Sequence, residues 1–234
     1  CDAFLMGSGQ VWNPEMDPNF PKGCFFDFTA PEKKRISYAA SFGTSGCSGS
    51  EEDRAEIRKL LKRFRFLSVR EKEDVEILKK TFHVKGTKVL EPVFLQDRDF
   101  YRKLAEKSGE NEEEPFLLAY ILNPTEEIRE QLRKLSRERG QKLMNLMDGI
   151  PVTDWLYYLS HCDGLVTDSG YGSSFALIFG KPFLCLTDQR LSNQQGGHSG
   201  NKSLFETLHL TERCAGTPEE LWEKRSLLGR ADYQ

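Results

Sequence analysis

No apolar run in this sequence approaches the roughly 18 residues that a membrane-crossing helix needs, so no transmembrane segment is expected. Basic charge is not in excess either. The 33 Lys and Arg are matched against 36 Asp and Glu, a formal net charge of −3. That balance argues against non-specific nucleic-acid binding, which relies on a positive face. The six cysteines stand at positions 1, 24, 47, 162, 185 and 214, and no pair has the close spacing of a zinc knuckle. A disulfide framework does not suit a chain of 234 residues, so a reducing cytoplasm is the expected compartment. Cys162 and Cys185 lie in apolar, strand-like contexts and read as small buried hydrophobes. Residues 1–6 lack the basic start and long apolar stretch of a secretory leader. No metal or cofactor is expected.

Hydrophobic residues make up 38% of the chain, enough for a substantial core. Short apolar runs alternate with helical patterns. Strands are expected at 3–6, 25–28, 35–40, 66–69, 116–122, 164–167 and 182–186. Helices are expected from Ser50, where acidic residues follow a capping serine, and at 72–82, 124–139, 152–159 and 174–179. Ile57, Leu60, Leu61 and Phe64 recur at helical spacing and define one apolar face. Such alternation predicts parallel sheets covered on both faces. The segment 88–95 contains Pro92 and has no helical period, so it is expected to be an extended connector. It divides the chain into domains at 1–97 and 98–234.

Three strand ends carry residues capable of binding chemistry. The sharpest is Gly164-Leu165-Val166-Thr167-Asp168-Ser169-Gly170-Tyr171-Gly172-Ser173-Ser174, an apolar strand that ends in Thr-Asp-Ser, turns on glycines and enters an apolar helix. Ligands in open α/β sheets bind beyond the carboxyl ends of strands. A helix start offers N–H donors and a positive dipole end to an anion. Asp168, Ser169, Gly172 and Ser173 are therefore candidates for holding a phosphate or carboxylate. The same residues suit an ordinary βα turn equally well, with Ser169 or Ser173 as the cap. The glycine spacing fits neither a dinucleotide fingerprint nor a P-loop.

The second strand end is Phe4-Leu5-Met6-Gly7-Ser8-Gly9-Gln10-Val11-Trp12-Asn13-Pro14. Ser8, Gln10, Trp12 and Asn13 are candidates for facing a sugar, by hydrogen bonding and ring stacking; a loop with a packed Trp is the alternative. The third is Phe66-Leu67-Ser68-Val69-Arg70-Glu71. Its Arg70 can clamp a carboxylate or phosphate through two parallel hydrogen bonds, or form a plain ion pair. A polar glycine-rich segment, Gln194-Gln195-Gly196-Gly197-His198-Ser199-Gly200-Asn201-Lys202, adds His198 as a candidate proton donor and Lys202 as a candidate phosphate ligand. Loops of this kind border ligand clefts and order on binding.

Taken in order, these blocks resemble the polysaccharide pyruvyl transferase family. Gly7-Ser8-Gly9-Gln10-Val11-Trp12-Asn13-Pro14 is similar to the family pattern Gly-Ser-Asp-Gln-Val-Trp-Asn-Pro. Phe26-Asp27-Phe28, Lys34 to Gly43, Ser68-Val69-Arg70-Glu71, Glu91-Pro92-Val93-Phe94-Leu95, Asp154 to Tyr158, Thr167-Asp168-Ser169 and Phe175 to Phe183 follow at about the family's spacing. The resemblance implies a GT-B-like α/β fold of two Rossmann-type parallel-sheet domains facing across a cleft. It implies transfer of pyruvate from phosphoenolpyruvate to a hydroxyl pair on a sugar of a bacterial polysaccharide, giving a pyruvate ketal. The partners implied are phosphoenolpyruvate and a saccharide acceptor. The family's opening strand and Asn-Tyr-Gly-type loop are not in this sequence, so an incomplete first domain is expected.

This sequence departs from the family at the second-domain turn. A His follows the Ser there in a Ser-Phe-His-Gly-type sequence, and Ser169-Gly170-Tyr171-Gly172 puts Tyr171 in its place. A tyrosine with an ordinary pKa of about 10 is a weaker acid than a histidine at about 6.5 and is never a cation, but it still donates a hydrogen bond. Gly9 stands where the family has an Asp on the cleft side. Tyr171 and His198 are the candidate catalytic residues. Two other functions fit the same residues: a catalytically altered sugar-binding or scaffold homologue, and a GT-B glycosyltransferase that uses a nucleotide sugar.

Overall fold

A computed structural model describes residues 1–13, 22–43, 50–146, 149–187, 198–229 and 231, with the side chains of 198–202 outside the description. The chain forms two units, Cys1–Pro92 and Val93–Gln234.

In the first unit, β1 (Ala3–Met6) pairs in parallel with β2 (Lys34–Ser37), and β3 (Ser68–Val69) with β4 (Thr87–Lys88). Bridges Ile36–Phe66 and Ala40–Val69 join the two pairs. The chain advances four residues between those bridges on one side and three on the other. Ala39, at φ 54°, accommodates the extra residue as a bulge. The helices α1 (Glu51–Leu61) and α2 (Lys72–Lys80) follow β2 and β3. Ser50 caps α1 as expected, accepting from the Asp53 amide while Asp53 accepts from the Ser50 amide. That reciprocal pair satisfies two donors a helix start leaves open.

An aromatic cluster holds this unit together. Trp12 stacks on Phe25 at 5.3 Å and lies against Phe42 and Phe64. The strand expected at 25–28 is not formed. A 3-10 turn, Lys22–Phe25, is followed by Phe26 in the left-handed region at φ 57°. A strand would send alternate side chains to opposite faces. The turn instead lets Phe25 meet Trp12 while Phe26 meets Phe64 and Phe4.

The second unit holds α3 (Arg98–Ala105), β5 (Phe116–Tyr120), α4 (Glu126–Arg139), β6 (Lys142–Asn145), α5 (Val152–His161), β7 (Gly164–Thr167), α6 (Gly170–Phe179), β8 (Phe183–Leu186), α7 (His198–Leu208), β9 (Cys214–Ala215) and α8 (Pro218–Glu223). Its five strands are all parallel, in the order β6-β5-β7-β8-β9. The strand residues alternate between two cores. Phe116, Leu118, Leu165, Phe183 and Cys185 pack with apolar residues of α3, α5, α6 and α7. Leu117, Ala119, Val166, Leu184 and Leu186 pack with those of α4 and α8. This is a sheet covered on both faces, which explains why its strands read as continuous apolar runs. The short polar strand Lys142–Asn145 escapes a sequence reading because only its two central residues are partly buried.

Trp12 tests the account of the first core. It is 1% exposed and its indole N–H donates to the Cys24 carbonyl at 3.1 Å. Trp12→Ala should cost about 3–5 kcal/mol in chemical denaturation, the range for deleting a buried aromatic.

Candidate functional site

The strand order fixes one crevice in the second unit. From β5 the chain moves to β6 on one side, then crosses to β7 on the other. The carboxyl ends of β5 and β7 therefore flank a topological switch point, the place where open α/β sheets bind ligands.

Asp168 closes the floor of that crevice. It is 3% exposed, and its carboxylate accepts from the Leu122 amide at 2.7 Å and the Asn123 amide at 3.0 Å. One residue earlier, the Thr167 hydroxyl donates to the Tyr120 carbonyl and accepts from the Ser169 amide. Both exits are thus tied together, each Asp168 carboxylate oxygen accepting one backbone amide.

The helix begins four residues before its expected start. Ser169 is its N-cap, accepting from the Gly172 amide at 3.4 Å, and Ser173 donates back to the Ser169 carbonyl. Gly172 is needed for a close approach: a Cβ there would meet Thr167 Oγ1 at 2.5 Å. Of the first amides of α6, Ser169 and Gly172 have these partners, while Gly170 N–H has none among the described residues. Beside it Tyr171 is 49% exposed on the first turn. The helix start thus places an amide and the positive end of a helix dipole at the switch point.

The first unit's strand ends are different. Arg70 Nε donates to Glu71 at 2.7 Å and Nη1 to Glu91 at 2.5 Å. Burial pushes the guanidinium pKa down, but the two carboxylates outweigh it and the net direction is up. Arg70 is therefore held in an intramolecular ion-pair network, not left as an open clamp. Glu91 carries no strand-end signal in the sequence because it follows β4, a strand of only two residues. Asp74, fully buried, accepts from the Phe42 amide at 3.0 Å and the Glu71 amide at 3.3 Å, tying the exit of β2 to the start of α2.

Among the candidate sugar-facing residues, Trp12 is a core side chain, because stacking on Phe25 removes its ring from solvent. Asn13 is buried and donates to Gln10 Oε1 at 2.7 Å. The pair braces the loop against Gly43, where a Cβ would meet the Asn13 amide nitrogen at 2.5 Å. Ser8 and Gln10 are half-buried. His198 and Lys202 belong to α7, and their side chains lie outside the described residues. Burial pushes the Cys162 and Cys185 thiols up to about 12, which leaves both inert as nucleophiles.

The family model described as polysaccharide pyruvyl transferase matches residues 1–190, and the chain belongs to that family. In structure it is similar to a protein described as a UDP-N-acetylglucosamine 2-epimerase from Listeria monocytogenes. The TM-score is 0.51 at 14% identity, over 99% of this chain and 69% of the other. A UDP-GlcNAc 2-epimerase from Neisseria meningitidis bound to UDP-GlcNAc scores 0.47 at 11% identity, over 98% and 73%. The first likeness identifies a GT-B-like α/β fold with parallel sheets. No curated protein matches at a significant level. Among the described residues, no helix is long and apolar enough to cross a membrane.

Two outcomes follow from this geometry. Gly172→Ala should destabilise by about 1–3 kcal/mol through overpacking against a buried, doubly bonded threonine. Gly109→Ala, with nothing within 4 Å of the new methyl, should stay within about 0.5 kcal/mol; thermal melts compare them. Burial also pushes the Asp74 carboxyl up to about 6, with Glu71 adding to it against the opposing amides. An unfolded aspartate titrates near roughly 4. Because the folded value is the higher one, ionised Asp74 is a cost present above pH 6 that fades as pH falls towards 4. Stability measured by urea denaturation should rise across that window, and Asp74→Asn should flatten the rise.

Proposed function

We propose that this chain transfers the pyruvyl unit of phosphoenolpyruvate to two hydroxyls of a sugar in a bacterial polysaccharide, in the cytoplasm. The observation that carries this reading is a helix start at the switch point of the second unit, within a chain whose family match spans residues 1–190. The donor carries a phosphate and a carboxylate, so it needs N–H and hydroxyl donors. The Gly170 amide and Tyr171 hydroxyl supply them in this reading. Ser169, Gly172 and Ser173 shape the turn, and Asp168 positions it from below.

In the reaction, the enol methylene takes a proton and the neighbouring carbon takes two sugar oxygens. Phosphate leaves, and the two hydroxyl protons account for the new methyl hydrogen and the proton released with phosphate. Tyr171 and His198 are the candidate proton donors, with Lys202 as a further phosphate ligand. Ser8, Gln10 and Asn13 belong to the acceptor side. No cofactor enters this scheme.

A second reading is favoured by one residue. Tyr171 stands where the family carries a His, which suits a sugar-binding or scaffold homologue without turnover. If so, Tyr171→His would create activity in an inert parent. A screen of nucleotide sugars by thermal shift separates both readings from glycosyl transfer.

The full-length protein incubated with phosphoenolpyruvate and a glycan panel should release phosphate and add a pyruvate ketal detectable by mass. Tyr171→Phe should lower kcat/KM for the donor by about a hundredfold to a thousandfold, the scale for losing one donor to developing charge. Absence of both phosphate release and calorimetric binding of the donor would sink the transferase reading.

A further inference from the structure

The carboxyl edge of the first unit's sheet carries a charge balance that its arginine conceals. Arg70 follows β3, where its amide donates to the Ala40 carbonyl; Glu91 follows β4, whose exit is fixed by the Val89 amide on the Val69 carbonyl. Arg70 meets Glu71 and Glu91 together, and Asp74 accepts from the Glu71 amide at 3.3 Å. Two carboxylates thus flank one guanidinium. Glu71 deepens the imbalance: its side chain is only 2% exposed, and its Oε2 is buried without a hydrogen-bond partner in the described structure. An incoming phosphate or carboxylate would meet net negative charge here. Like charge in a partly buried setting disfavours such binding strongly.

A neutral polyol meets no such penalty. The Arg70 side chain is 14% exposed and that of Glu91 15%. Each keeps an atom uncommitted among the described residues: Nη2 of Arg70, a donor, and Oε2 of Glu91, an acceptor. Their other ends are joined at 2.5 Å, so the open donor and the open acceptor belong to one ion pair. A pair of sugar hydroxyls matches that arrangement, one accepting from the guanidinium and one donating to the carboxylate.

We propose that the Arg70–Glu91 pair is a saccharide-hydroxyl site, with Glu71 as the positioning residue that holds the guanidinium through Nε. The site is selective for neutral hydroxyl pairs and excludes the anionic donor. This rests on the saccharide-acceptor part of the proposed function, and moves Arg70 from the donor to the acceptor.

The test is calorimetry on the full-length protein with a panel of methyl hexopyranosides, and separately with phosphoenolpyruvate and inorganic phosphate. Glu91→Gln keeps the shape, removes one charge and turns an acceptor into a donor. It should weaken the best-binding hexopyranoside at least tenfold and leave phosphoenolpyruvate affinity within twofold. Arg70→Lys keeps the charge but loses the planar fork; it should weaken the same sugar while the donor is again unaffected. Thermal melts establish that both variants are folded, and Glu91→Asp, which retains the carboxylate, should recover part of the sugar affinity if Glu91→Gln is not.

Loss of donor or phosphate affinity in Arg70→Lys with sugar binding intact would overturn the proposal. So would a wild-type protein that binds no sugar of the panel at millimolar concentration. Phosphate release is followed in parallel. No release, but sugar binding lost in Glu91→Gln, removes the transfer reading alone. Release with an unchanged acceptor KM in Glu91→Gln removes this site alone.

Discussion

The Asp168 carboxylate is the contact on which the carboxyl edge of the second unit's sheet depends. It takes the Leu122 and Asn123 amides at 2.7 and 3.0 Å, and so ties the exit of β7 to the exit of β5. Those two strands are where the sheet order reverses. A switch point can hold a ligand only if its walls keep a fixed distance, and two charge-assisted hydrogen bonds in a buried setting provide that. The Thr167 hydroxyl adds a second tie to Tyr120. Gly172 then lets α6 settle onto Thr167 without a clash. The start of α6 is held in place by neighbours that make no ligand contact of their own in the proposed scheme.

The two units present opposite electrostatics at their strand ends. In the second, the acidic side chain of the turn is neutralised by backbone amides, which leaves the helix dipole to set the sign. In the first, two carboxylates flank one arginine. In the sequence, Arg70 after a strand suits either an anion clamp or a plain ion pair. The outcome depends instead on Glu71 and Glu91, one adjacent in sequence and one 21 residues away. Charge at a site is a property of the neighbourhood, and the proposed division between an anionic donor and a neutral acceptor rests on it.

The Gly7–Pro14 block makes a related point. Its Trp12 belongs to the motif that links this chain to its family, yet it is a core residue stacked among Phe25, Phe42 and Phe64. Asn13 is likewise occupied, bracing the loop with Gln10. A motif can mark a family because it builds the wall of a site as well as because it lines one. Only burial and hydrogen-bond partners tell the two apart.

The sequence by itself determined the α/β class, the capped start of α1 and the central strands Phe116–Tyr120 and Gly164–Thr167. Apolar runs between helical patterns and a Ser-Glu-Glu-Asp cap are local signals, so they survive without tertiary information. It also determined that Asp168–Ser174 joins a strand to a helix. Tertiary structure alone decided that α6 starts at Gly170, since the glycines there answer to Thr167 packing and not to a loop. It decided that 25–28 turns, because the aromatic cluster needs adjacent rings to face different neighbours. It also revealed the edge strand Lys142–Asn145, too short and polar to announce itself, whose pairing with β5 creates the switch point. And it decided the fate of the strand-end charges, because a carboxylate such as Asp168 or an arginine such as Arg70 acquires its role from partners that only folding brings within hydrogen-bonding distance.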